Sequence, residues 1–93
     1  MNWKHSFFKP KWQSNDADIR LQAVTTEQHP DLISKLLEIA GADEDKRVRL
    51  AAVKRLHQLE NILKLYGGES DPEVIKLLED RIRQLASSSN ETR

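Results

Sequence analysis

Apolar side chains recur along this chain at intervals of three and four residues, in stripes that each follow an acidic residue. Ile19, Ala23 and Val24 follow Asp16, while Leu32, Ile33, Leu36, Leu37 and Ala40 follow Asp31. Val48, Ala52, Leu56 and Leu59 follow Asp45, and Val74, Leu77, Leu78, Ile82 and Leu85 follow Asp71. That spacing lays apolar groups along one face of an α-helix, and an acid at its start accepts hydrogen bonds from the unpaired first N–H groups. Helices are therefore predicted over about 16–26, over 31–41 with Asp31 as cap or Pro30 as first helical residue, and onward from Asp43-Glu44-Asp45. Another is predicted through Ile62, Leu63 and Leu65, after a bend near 58–61, with Gly67-Gly68 ending it as Gly41 ends the second. The last starts at Asp71-Pro72-Glu73, where an N-cap acid, a proline at the first helical position and a second acid coincide.

These stripes are copies of one another. Asp16-Ala17-Asp18-Ile19-Arg20-Leu21, Asp45-Lys46-Arg47-Val48-Arg49-Leu50 and Asp71-Pro72-Glu73-Val74-Ile75-Lys76 each place an acid three residues before a β-branched residue. The step from Ile19 to Val48 is 29 residues and that from Val48 to Val74 is 26. A period in this range marks helical units that stack because none buries its apolar face alone. The first two helices read as one helix–turn–helix pair. Leu50 and Val53 give the third helix a second apolar stripe, so it is expected to be covered on two sides, as an interior element is.

The ends differ from the middle. Residues 1–13 hold four of the five aromatics, Trp3, Phe7, Phe8 and Trp12, interleaved with Lys4, Lys9 and Lys11. The chain divides into this basic aromatic segment, a helical domain over 14–86, and a Ser-rich tail over 87–93 expected to be disordered. With 93 residues there is room for one modest core. Fifteen bases balance fifteen acids, so no net field draws the chain to nucleic acid or membrane. The absence of cysteine excludes disulfides and thiolate metal sites. No apolar run reaches the roughly 18 residues that cross a bilayer, and Lys9-Pro10 closes the short apolar stretch near the start, so no secretory signal is read and a cytoplasmic location is expected.

The run from Asp43 to Leu56 resembles the second-helix signature of HEAT-like repeats: an acidic turn, the Val48-Arg49 pair, Ala52 four residues after the valine and Leu56 four after that. Asp16 to Val24 is a shorter copy, and Asp71 to Ile82 a divergent one with Ile75 in place of the arginine. The resemblance implies an all-α, short right-handed α–α superhelix of about five helices, with the N-terminal aromatic segment as its cap. Phe7 to Gln13 and Asp18 to Val24 are also similar to the start of large bacterial proteins that carry a domain of unknown function. That likeness implies an N-terminal module of a longer protein, with a C-terminal continuation stacking on the last helix.

Arg20 and Arg49 hold the same place in two units. The HEAT-like resemblance implies a ladder to acidic turn residues of a neighbouring unit, with Asp16, Asp43 and Asp45 as partners. Alternatively the two form a row that grips a ligand's phosphate or carboxylate with their planar forks. Lys46, Arg47, Lys54 and Arg55 give the third helix a basic flank beside acids 43–45, which is read as a solvated face. Arg20, Lys46, Arg47, Arg49 and Arg55 are the expected contacts if a protein partner docks. Lys4, Lys9, Lys11 and Trp12 are the alternative contacts to nucleic acid, the ring stacking on bases while ammonium groups hold phosphate. A membrane interface fits less well for the segment's length and its proline, and against both stands the preferred reading, a cap that packs Trp3, Phe7 and Trp12 over the apolar face of the first unit.

No catalytic, cofactor or metal site is expected. His5, His29 and His57 stand far apart in no ligand spacing, and Gly67-Gly68 lacks the lysine of a phosphate loop. No pair of acids sits in an apolar setting suited to proton transfer. The expected function is non-enzymatic protein–protein interaction or scaffolding, with a nucleic-acid or ribosome-associated module as the alternative.

Overall fold

Capping acids set the helix starts in the computed structural model, which describes residues 9–91. Asp16 accepts the Asp18 N–H at 2.9 Å and opens α1 (Ala17–Thr26). Asp45 accepts the Arg47 N–H at 2.8 Å and opens α3 (Lys46–Lys54), and Asp71 accepts from Glu73 and Val74 to open α5 (Pro72–Glu91). α2 (Pro30–Ala42) takes Pro30 as its first residue, and its cap is His29, whose Nδ1 accepts the Asp31 N–H at 3.1 Å. α4 (Leu59–Gly68) follows the bend that ends α3 and has no side-chain cap. A 3-10 turn at Lys11–Gln13 precedes α1. Among the described residues the fold is all-helical, with five α-helices and no strand.

The helix ends depart from the expected stops. α2 passes Gly41 and ends at Ala42, and α4 takes both Gly67 and Gly68 into its last turn. Glycine stops a helix by entering the left-handed region, and no described glycine has positive φ. Gly41 has a packing role instead: a Cβ there would stand 3.1 Å from Leu65 Cδ2, so its bare backbone lets α2 approach α4. α5 continues to Glu91, into the stretch expected as a disordered tail. Serine costs roughly 0.5 kcal/mol against alanine in a helix, too little by itself to stop an established one.

α1, α3 and α5 lie side by side in that order, while α2 packs chiefly on α3 and α4 on α5. The pairs are therefore α2–α3 and α4–α5, not the α1–α2 hairpin expected from sequence order. An apolar stripe says that a face must be covered but not by which neighbour. α3 touches α1, α2 and α5: Val48 and Ala52 of its first stripe and Val53 of its second are buried, whereas Leu50 of the second is only half-buried. Val24, Leu32, Ile62, Val74 and Leu78 complete the fully buried set.

Ile19 was expected on the inner face but is 42% exposed, although Val48 and Val74 at the same place in their units are fully buried. α2 leads into α3 and α4 into α5, whereas no described helix precedes α1 in that position. Lys4, Trp3, Phe7 and Phe8 lie outside the described residues. Trp12 is buried, with its ring 5.6 Å from that of His29. At the other end Leu78 is fully buried, while Leu77, Ile82 and Leu85 are only half-buried. No described helix is long and apolar enough to cross a membrane.

Candidate functional site

Two rows of arginines tie the α1, α3 and α5 layer together. Arg20 and Arg49 each stand four residues after a capping acid. Arg20 Nε and Nη2 donate to the two carboxylate oxygens of Asp43 at 3.0 and 3.1 Å, and its Nη1 donates to the Ser14 carbonyl at 2.9 Å. Arg49 repeats the arrangement, with Glu69 at 3.3 Å from both nitrogens and the Asp43 carbonyl at 2.7 Å. The same carboxylates orient the next cap, since Asp43 accepts the Asp45 N–H and Glu69 the Asp71 N–H. Both arginine side chains are largely shielded, 14% and 16% exposed, so the forked pairs act where water competes little. The hydrogen bond to Asp43 raises the Arg20 pKa above its already high value. At the third copy Ile75 replaces the arginine and the row stops.

Of the acids that the resemblance implied as partners, Asp43 alone receives the ladder arginine. Asp16 caps its own helix, and Asp45 holds Arg47 of its own unit. Glu69, the second acceptor, lies in the turn after α4 and was not singled out from the sequence.

The second row joins the far ends of α1 and α3 and the middle of α5. Arg55 and Arg81 each stand ten residues after a capping acid. Arg55 donates to the Val24 carbonyl at 2.8 Å and to Gln28 Oε1 at 3.2 Å. Arg81 donates to the Leu56 carbonyl and lies 3.1 Å from His57 Nδ1. Each satisfies a carbonyl left open near the end of the preceding layer helix. Sequence reasoning misses Arg81, though the 26-residue step from Val48 to Val74 also leads from Arg55 to Arg81.

Lys46 bridges to Glu73 at 3.0 Å and Asp71 at 3.8 Å, and its bond to Glu73 raises its pKa. Arg47 meets Asp18 of α1 at 3.0 Å and Asp45 at 2.9 Å. The Arg47 side chain, and then its backbone N–H, hold the Asp45 carboxyl down at about 2. All five residues expected to contact a partner thus bond within the chain. Of the alternative set, Lys9 reaches Asn15 Oδ1 at 3.3 Å and Lys11 is exposed, but the buried Trp12 ring is not open for stacking on a base.

Two apolar depressions remain open. One of about 320 Å³ runs between α1 and α3, with Leu21, Leu50 and Ala51 as its floor and Arg47, Lys54 and Arg55 at its rim. Another of about 440 Å³ lies where α2 meets the turn between α3 and α4, against Ile33, Leu37 and Leu56. No group of three or more His, Asp or Glu placed to hold a metal ion occurs among the described residues. Compared with protein-family models, curated proteins and solved structures, the chain matches none.

Proposed function

We propose that this chain is a non-enzymatic protein-interaction or scaffolding module, built as a short right-handed HEAT-like array and working in the cytoplasm as the N-terminal part of a larger bacterial protein. One observation carries the reading. The arginines that chemistry or a charged ligand would use are engaged in holding unit to unit, while apolar surface stays open on the layer they brace. A braced layer presents such surface without the entropy loss of ordering it on binding, which favours docking by shape. In this reading the segment ending at the buried Trp12 caps the first unit. The half-buried Leu77, Ile82 and Leu85 offer a face on which a C-terminal continuation stacks.

The test is affinity capture from bacterial lysate with the tagged chain, with and without nuclease, at low and high salt. A discrete protein set that survives both treatments is the expected result. Recovery that collapses with nuclease, or falls steeply as salt rises, would replace this reading with nucleic-acid binding through Lys9 and Lys11.

A further inference from the structure

The three units serve as controls for one another, because equivalent positions show which outward side chains the architecture requires. Five residues after the capping acid stand Leu21, Leu50 and Lys76; nine residues after it stand Thr25, Lys54 and Asp80. In the third unit this outward line is charged: Lys76 pairs with Asp80 at 3.6 Å and its side chain is 74% exposed. A helix of this layer therefore folds with lysine at that place, whereas Leu21 and Leu50 are half-buried against the edge of the core and keep part of their surface open. The two leucines line one groove and, with Ala51, form its floor.

Charge around that floor is lopsided. At one end Arg47 is answered by Asp18 and Asp45. At the other, Lys54 makes no ion pair among the described residues, and Arg55 donates only to the neutral oxygens of Val24 and Gln28. Two cations with no carboxylate to answer them border an apolar trough, and the negative helix ends beside them offset only part of that charge.

We propose that the α1/α3 groove binds a short amphipathic, acidic segment of a partner protein. Its apolar side chains sit on Leu21, Leu50 and Ala51, and its carboxylates pair with Lys54, while Arg55, held by Val24 and Gln28, adds positive field beside it. Helix-in-groove recognition has this form, apolar anchors on a floor with charge at the flank fixing orientation. Nucleic acid is the poorer occupant, because the floor offers neither an aromatic face nor polar partners for bases. This inference rests on the protein-interaction reading and narrows it to one surface and one partner chemistry.

The test starts from a phage-displayed library of random peptides of about 14 residues, enough for three to four helical turns, selected on the full chain. Enriched peptides are expected to carry acids beside apolar residues spaced by three and four. Their affinities are then measured for the native chain and for Leu50→Lys and Lys54→Glu, with circular dichroism confirming that both variants are helical. Leu50→Lys gives the second unit the residue the third already carries and is expected to weaken binding by about tenfold or more. Lys54→Glu, at an exposed position, is expected to weaken it by roughly threefold and to flatten its salt dependence. Peptides that are neutral or basic, no enrichment at all, or equal affinity for the native chain and both variants would overturn the proposal. A lysate partner that both variants still capture would overturn the groove while leaving the interaction reading standing. Loss of every nuclease-resistant partner from the native chain would remove both.

Discussion

Arg20 and Arg49 show how a charged side chain becomes part of a fold. Each guanidinium satisfies a carboxylate and a carbonyl that belong to different units, in surroundings largely closed to water. Removing one fork leaves its acid shielded and unpaired, which costs more than the pair itself is worth. Arg49→Met is therefore expected to lower stability by about 2 kcal/mol in urea denaturation. Lys35→Ala, which breaks only the exposed pair with Glu38 at 3.5 Å, should change it by less than about 0.5 kcal/mol. Equal effects would mean that the ladder is ornamental. Asp45 adds a pH dependence with a defined sign. Its folded pKa is lowered from 3.8 to about 2, so the stability it contributes is present above its unfolded value and is lost as pH falls through the folded one. Asparagine also caps a helix but carries no charge. The stability difference between the native chain and Asp45→Asn should accordingly shrink between pH 4 and pH 2, as followed by denaturation at fixed pH. A difference that stays constant across that window would rule out the charge as its source.

Among the elements, α4 offers the sharpest check on register. Ile62 is fully buried and its neighbour Leu63 is 49% exposed. Ile62→Ala should cost about 3 kcal/mol through lost contacts and the cavity left behind, whereas Leu63→Ala should cost less than about 0.5 kcal/mol. Comparable losses at both positions would place α4 in a different rotation. The glycines in these helices differ in what a methyl group would meet. At Gly67 a Cβ has nothing within 4 Å and φ is negative, so Gly67→Ala should raise stability by about 0.5 kcal/mol through helix propensity. At Gly41 the same change pushes on Leu65, and the gain is expected to be smaller or absent. Thermal melts of the two variants separate propensity from close approach.

At the scale of the molecule, the body is elongated. The principal extents are 55 × 29 × 19 Å and the radius of gyration is 15.0 Å, against about 12 Å for a near-spherical domain of this length. Small-angle scattering of the full chain should return a radius of gyration of 15 Å or more. A value near 12 Å would mean that the units fold back on one another. The two arginine rows brace the α1, α3 and α5 layer, one at the helix starts and the other joining the far ends of α1 and α3 to the middle of α5.

Sequence by itself determined what depends on residues close in the chain. Asp16, Asp45 and Asp71 mark helix starts because a cap bonds to an N–H two residues on. Apolar spacing gives the helical class because one turn returns every three to four residues. The period likewise matched Arg20 with Arg49 before any partner was visible. Tertiary structure decided what depends on a neighbour some twenty or more residues away. Ile19 and Val48 occupy the same pattern, yet among the described residues only the helix of Val48 has a preceding α-helix, α2, packed against it. Glu69 accepts Arg49 from a turn, where no period points to it. Lys54 and Arg55 looked like part of a solvated basic face beside three acids. The ion pair of Arg47 with Asp18 and the neutral acceptors of Arg55 left the positive charge at one end of an apolar groove. Such facts follow from which surfaces meet, and a local pattern carries no record of that.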